Sequence, residues 1–170
     1  MAVSKLGGLA LALAAAIIAL DQTVKYWVLN VLRLPDLATV PVVGPLHWTM
    51  VWNQGVSFGF FRAEHDFVRW ALAAFSIVVA VVLAGWVRKA KRPLFALALG
   101  LVIGGAVGNV IDRIRFGAVV DFIDVTRLGF FPWVFNVADS AISIGIGCLL
   151  IDMLLQDRAE KAALANKPAA

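Results

Sequence analysis

Long runs of uncharged, mostly apolar residues divide the chain into four segments. Residues 6–20 carry no charge, residues 70–87 form an 18-residue uncharged run, and residues 93–111 form a 19-residue one. Residues 128–151 form a 24-residue run with one charge, Asp139. A hydrocarbon core of about 30 Å needs about 20 helical residues, because lipid offers backbone groups no other partner. The pattern predicts four membrane-spanning helices, over about residues 6–29, 68–87, 93–112 and 137–155.

The amino-acid composition supports this interpretation and argues against zinc-binding and nucleic-acid-binding functions. Apolar residues make up 62% of the chain and charged residues 15%, with a mean hydropathy of +0.89, so a water-soluble globule is disfavoured. One cysteine, Cys148, excludes an internal disulfide, and two histidines make a zinc site hard to assemble. The net charge of +4 is spread between apolar segments rather than gathered into one stripe, which argues against nucleic acid. We therefore predict no metal, no cofactor and no nucleic-acid partner.

The first apolar segment has an alternative interpretation. Lys5 precedes an apolar run that ends in small residues, as in a cleaved signal peptide. The apolar pattern continues past Asp21 without a clear cleavage context, and the rest of the chain also spans the membrane. A first transmembrane helix is the better prediction.

Basic residues predict the orientation. Four spans place both termini and the connection between the second and third spans on one side of the membrane. That side carries eight basic residues, and the positive-inside rule makes it cytoplasmic. They are Lys5, Arg88, Lys89, Lys91, Arg92, Arg158, Lys161 and Lys167.

The two longer connections, residues 30–66 and 113–137, then lie on the outer side. In the first, β-branched and aromatic residues between Gly and Pro positions predict short strands over about residues 38–62. We expect a small β-sheet lying on the outer membrane surface, and a frayed tail over residues 157–170. The predicted fold is membrane α-helical, with four transmembrane helices and this sheet, in one integral membrane domain covering residues 1–170.

Ionisable residues within spans are informative, because each is costly in lipid unless it is paired or faces a polar cavity. At about 1.5 Å per residue, Asp21 lies roughly 24 Å along the first helix, in its outer third. Asp112 lies near the outer end of the third helix, Asp139 opens the fourth, and Asp121 lies in the connection between them. These four carboxylates are predicted to converge on one layer near the outer surface. Asp152 is much deeper and is predicted to have a solvated structural role.

Three of these acids also have structural explanations. Asp21 and Lys25 are spaced to pair with each other, and this structural role is favoured over a catalytic one. Asp112 could form an ion pair with Arg113 or orient a site, and the sequence favours neither. Asp139 could be a first-turn carboxylate stabilised by the helix dipole.

Asp121 is harder to explain structurally, because apolar residues enclose it on both sides. Burial raises the pKa of a carboxyl group, and a second carboxylate such as Asp139 nearby would leave the two sharing one proton. One acid could then activate water against an amide while the other protonates the leaving nitrogen, with no metal and no covalent intermediate.

Five sequence blocks, taken together, resemble bacterial lipoprotein signal peptidase, also called signal peptidase II. They are DQTVK at residues 21–25, NQGVSF at 53–58, GGAVGNVIDR at 104–113, VVDF at 119–122 and FNVADSA at 135–141. All five occur in the family's order.

The resemblance implies an aspartic endopeptidase of the bacterial inner membrane. With the orientation predicted above, this multi-pass protein would have cytoplasmic termini and an active site near the periplasmic face, and we expect it to be monomeric. Its partners would be membrane lipid and prolipoproteins carrying diacylglycerol on a cysteine, which it would cut on the amino side of that cysteine. Asp121 and Asp139 match the family's catalytic pair. The positions that match supporting or lining residues are Asp21, Lys25, Asn53, Gly55, Asn109, Asp112, Arg113, Asn136 and Ala138.

Three other function classes compete with this one. Intramembrane acids also serve proton-coupled transporters and channels, but these would place ionisable residues at several depths, whereas here the acids cluster at one level and Asp152 is isolated. A serine protease could use Ser57 or Ser140 with Lys25. Gly100, Gly104, Gly105 and Gly108 would allow close helix contact, as in a non-enzymatic membrane assembly factor, but that explanation does not account for the acids.

Overall fold

The computed structural model describes residues 4–55 and 65–165, and four long helices form its frame. Each is long and apolar enough to cross a membrane, over Lys5–Val31, Asp66–Val87, Pro93–Phe116 and Val137–Leu164. The helices are α1 (Lys5–Tyr26, continued by a π-helical turn at Trp27–Val31), the short α2 (Leu34–Leu37), α3 (His65–Val87), α4 (Pro93–Phe116) and α5 (Val137–Ala165).

Local sequence explains where the helices begin and end. The Ser4 hydroxyl accepts a hydrogen bond from the Gly7 amide at 2.9 Å, which caps the start of α1. Helix α4 has proline at its first position and ends at Phe116, followed by Gly117, whose φ of +77° suits glycine.

Helix α4 is the central helix of the bundle and packs against α1, α3 and α5. Two of its glycines permit the close approach: a Cβ at Gly104 would lie 2.8 Å from the Ala14 carbonyl oxygen of α1. A Cβ at Gly105 would collide with the Ala138 carbonyl oxygen of α5. Small residues in α4 therefore allow α1 and α5 to pack directly against its backbone.

The bundle has two chemically different ends. At the basic end, the Ser4 hydroxyl donates to the Ala90 carbonyl at 2.9 Å, and Arg92 forms an ion pair with Asp152 at 2.6 Å. The opposite end, the sheet end, carries a four-stranded antiparallel sheet in the order β1-β2-β3-β4. Its strands are β1 (Thr39–Val43), β2 (Leu46–Asn53), β3 (Val119–Asp124) and β4 (Val134–Phe135).

The predicted fold class, helical with four spans and a small sheet, is confirmed. The sheet draws on more of the chain than expected, because β3 and β4 come from the second connection and Asp121 lies in a strand. Residues 56–62 of the predicted β segment lie outside the described residues.

Two predictions at the basic end were wrong. The frayed tail was expected from residue 157, but α5 continues as helix to Ala165, and residues 166–170 lie outside the described part. Asp152 is buried rather than solvated, because its carboxylate is paired with Arg92 and also accepts a hydrogen bond from Gln156 at 3.2 Å.

Candidate active site

At the sheet end, the carboxyl groups of Asp121 and Asp139 are joined through one asparagine. Asp121 belongs to β3 and Asp139 to the first turn of α5. The Asn136 side-chain amide donates to Asp121 Oδ1 at 2.7 Å, and its carbonyl oxygen accepts from the Asp139 backbone amide at 2.9 Å. Asn136 itself is fully buried. A strand and a helix start thus bring together two acids that are 18 positions apart in the sequence.

Two further asparagines hold the same pair of acids. Asn53, at the end of β2, donates to Asp121 Oδ2 at 2.9 Å, and Asn109 of α4 donates to Asp139 Oδ1 at 2.8 Å. Asp139 Oδ2 accepts from the Asn136 backbone amide at 3.3 Å. Each oxygen of both carboxyl groups therefore has an amide donor, which fixes the direction in which each group points.

The pKa of Asp121 is raised from 3.8 to about 6. Burial is the largest cause, since the residue is 1% exposed, and the negative charge of Asp139 is the second. Hydrogen bonds from Asn53 and Asn136 oppose the rise. Asp121 can therefore exchange a proton near neutral pH, as a general acid or base must.

Beneath this pair, at the sheet end of α1 and α4, lies a group that we call the ion cluster: Asp21, Gln22, Lys25 and Asp112. The Lys25 ammonium lies 2.8 Å from Asp21 Oδ2 and 2.7 Å from Asp112 Oδ2, and all three charged residues are buried. The predicted Asp21–Lys25 pairing is confirmed. For Asp112, the ion-pair partner in the structure is Lys25 of α1, whereas the Arg113 guanidinium donates to the Asn109 carbonyl.

The ion cluster also accepts two backbone amides. Asp21 Oδ1 accepts from the amide of Ala138 at 3.0 Å, and Asp112 Oδ2 accepts from the amide of Val120 at 3.1 Å. Ala138 is fully buried. These bonds tie the start of α5 and the body of β3 to α1 and α4.

The remaining predicted site residues lie at the edge of the pair. Arg113 is half-buried, donates to the Asn109 carbonyl at 3.4 Å and acts electrostatically on Asp139 and Asp121. Gly55 has a φ of +94°, and its amide donates to Asn53 Oδ1 at 2.8 Å. A Cβ at Gly55 would overlap Leu72. Glycine thus allows the turn that orients Asn53 towards Asp121.

Two adjoining clefts reach the acids. One, of about 510 Å³, is lined by Asp139 together with rings such as Phe131 and with Ile144 of α5. The other, of about 490 Å³, is more polar and is lined by Asp121 and Gln54. Asn53, Trp133 and Val134 line both.

Known proteins are similar to this chain in sequence and in fold. The sequence profile described as signal peptidase (SPase) II matches residues 13–155. The chain belongs to the signal peptidase II family. It is therefore a peptidase with lipoprotein signal peptidase activity and, with four spans, a multi-pass bacterial membrane protein.

Relatives support this assignment over nearly the whole chain. A lipoprotein signal peptidase of Caulobacter vibrioides is 51% identical over 158 residues, which cover 92% of this chain and 93% of the relative. One from Methylobacterium sp. (strain 4-46) is 38% identical, covering 92% and 94%. A solved structure described as a bacterial membrane enzyme has a TM-score of 0.75 at 28% identity, covering 96% of this chain and 95% of its own.

The contacts of Ser140 and Lys25 argue against the serine-protease alternative in this signal peptidase II chain. The Ser140 hydroxyl donates to the Asn136 carbonyl at 2.9 Å, as a residue inside a helix turn commonly does. Lys25 forms ion pairs with two carboxylates. Ser57 lies outside the described residues.

Gln22 of the ion cluster was missed from the sequence. Its side-chain amide nitrogen donates to Asp112 Oδ1 at 2.9 Å and to Asp21 Oδ2 at 3.2 Å. An amide inside a predicted span, directly after an acid, was the available signal. Helical periodicity alone did not indicate that it contacts a second helix.

The raised pKa of Asp121 predicts that this residue lowers stability at neutral pH. The pKa of Asp121 is about 6 in the folded protein against 3.8 for the free carboxyl group, so ionisation disfavours the folded state. The stability that the protein has below pH 4 is therefore partly lost as the pH rises towards 6. The cost above pH 6 is about 3 kcal/mol. Asp121→Asn removes this titration, so the Tm of the variant minus that of the wild type should grow between pH 4 and 6 and then level off. The measurement is thermal unfolding in detergent across that range. The lost hydrogen-bond acceptor adds only a constant offset, so a difference that does not vary with pH would contradict the prediction.

Proposed function

We propose that this chain is an aspartic endopeptidase that removes the signal peptide from diacylglyceryl-modified prolipoproteins. Asp121 and Asp139 are the catalytic pair, and the cut is made on the amino side of the lipidated cysteine. The observation that carries the proposal is the joining of two carboxyl groups through Asn136, with an amide donor on every carboxyl oxygen.

In the proposed reaction, the two acids share one proton. The ionised carboxylate takes a proton from a water molecule as that water attacks the scissile carbonyl carbon. The protonated acid then donates its proton to the leaving nitrogen as the carbon–nitrogen bond breaks. Asn53, Asn109 and Asn136 hold both groups in place during these transfers, so little reorganisation is needed.

The clefts suit a substrate that stays anchored in the membrane. Each buried CH₂ of an acyl chain is worth about 0.8 kcal/mol, so a diacylglyceryl peptide leaves the bilayer only at high cost. The cleft beside Asp139 runs along the apolar α5, whereas the cleft beside Asp121 is more polar. We infer that the signal helix and acyl chains remain among lipid while the peptide bond enters between the acids.

The proposed location is the bacterial inner membrane, with the basic end in the cytoplasm and the sheet end at the periplasmic face. The basic connection at residues 88–92 and Lys5 support this orientation under the positive-inside rule. We further propose that residues 1–170 act as one monomeric integral domain, because the site needs α1, α4, α5 and the sheet together.

Replacing either acid by its amide tests the catalytic pair. Asp121→Asn and Asp139→Asn should each fold yet cleave a lipidated prolipoprotein about 10²- to 10⁴-fold more slowly, because an amide cannot exchange the proton. The measurement is kcat in detergent micelles with purified protein. Ser140→Ala, next to Asp139, is the matched control and should keep most activity. Near-full turnover by either asparagine variant would refute the pair.

The lipid requirement has its own test. A prolipoprotein lacking the diacylglyceryl group should be cleaved at least about tenfold more slowly, because binding energy remote from the scissile bond positions that bond. Turnover of lipidated and unlipidated substrate is compared at equal membrane density, so that the difference reports cleavage rather than recruitment. Equal rates would mean that the enzyme recognises the peptide alone. They would contradict the lipid requirement but not the proposed role of the two aspartates.

Orientation can be read with a membrane-impermeant thiol reagent after Cys148→Ala removes the native thiol. Val43→Cys, 70% exposed at the sheet end, should label in spheroplasts with an intact inner membrane. Ala159→Cys, exposed at the basic end, should label only after lysis. The opposite labelling pattern would reverse the topology.

A further inference from the structure

We propose that Gln22 is a positioning residue for both catalytic acids, acting through the carboxylates of Asp21 and Asp112. The inference rests on the proposed aspartic function. Gln22 is half-buried on α1 and does not line either described cleft, so its effect must pass through the groups that it touches.

The contacts of Gln22 add a second, neutral connection between two anchors that the Lys25 ammonium also bridges. Its amide nitrogen donates to both carboxylates, at 2.9 Å to Asp112 and at 3.2 Å to Asp21. Asp112 holds the amide of Val120, and Asp21 holds the amide of Ala138. Those two residues immediately precede Asp121 and Asp139 in the sequence. One side chain therefore couples the backbone just before one catalytic acid to the backbone just before the other.

The charge balance of the ion cluster explains why this donor matters. Two carboxylates face one ammonium, that of Lys25, in a site shielded from water. Like charges held close in a low dielectric repel each other and separate unless further donors satisfy them. Gln22 offers a neutral donor to both, so it holds the carboxylates together without adding charge.

The orientation of the Gln22 amide is determined by a third group. Arg115 of α4 donates through Nη1 to Gln22 Oε1 at 3.3 Å. A guanidinium can only donate hydrogen bonds, so the Gln22 oxygen must face it. The amide nitrogen is thereby directed at the carboxylates, and the reverse orientation would lose both of these contacts.

The functional consequence concerns distance. Both anchored amides lie one residue from a reacting group, so a shift of either carboxylate is transmitted almost directly to the catalytic pair. Misplacement by about 1 Å can cost a reaction about 100-fold. Loss of Gln22 should therefore impair the chemical step more than substrate binding.

Gln22→Met tests this inference, since it keeps the side-chain length and removes the donor. Gln156→Met is the matched control: Gln156 makes the same kind of bond, to the buried Asp152 at 3.2 Å, at the opposite end of the bundle. With lipidated prolipoprotein, Gln22→Met should lower kcat about tenfold and change KM less than twofold. Gln156→Met should leave both unchanged, even if its Tm falls as much.

Hydrogen exchange gives a second readout that needs no activity. The amides of Val120 and Ala138 should exchange faster in Gln22→Met and at the wild-type rate in Gln156→Met. Unchanged kcat, a rise in KM alone, equal kcat losses in the two variants or unchanged amide exchange would each overturn the proposal. Asp121→Asn is assayed in parallel. If it remained active, the catalytic pair itself would be wrong, whereas an inactive Asp121→Asn beside a fully active Gln22→Met would refute only the positioning role.

Discussion

The pairing of one buried ammonium with two buried carboxylates is the interaction on which the rest of the sheet end depends. Removing Asp21, Lys25 and Asp112 from water is expensive, and the cost is recovered only with close contacts and further hydrogen bonds. Those contacts bring α1 and α4 together at a fixed level. The glycines of α4 leave room for this approach of the two helices, because a Cβ at Gly108 would lie 2.8 Å from Asp21 Oδ2.

The same cluster joins the helices to the sheet. Its carboxylates accept hydrogen bonds from backbone amides of β3 and of the first turn of α5, which are the two segments that carry the proposed catalytic acids. The charged groups that hold the bundle together thus also set the position of the site. This explains how a small sheet can present Asp121, one of the proposed catalytic acids, in a defined place.

The proposed catalytic role and the stability of the fold make opposite demands on Asp121. Burial and the charge of Asp139 raise its pKa, which makes it useful for proton transfer and costly for folding. The asparagines offset part of that cost by donating to the carboxyl oxygens. The carboxylates of Asp21 and Asp112 are paired with Lys25 instead.

The amino-acid sequence alone determined the four spans, the Asp21–Lys25 pair and the layer on which four acids meet. Helical rise and membrane thickness make this possible, because they convert the spacing of residues along a helix into depth in the membrane. Tertiary structure alone decided the partners across elements. Lys25 reaching Asp112, Gln22 bridging two helices and Asp121 pairing as a strand with β2 all depend on helix rotation and strand register, which spacing leaves open. The predicted length of α5 was also too short, because the charged residues of its last turns indicated a frayed tail rather than a helix. Depth is a local property of one helix, whereas a contact requires two elements to be placed relative to each other.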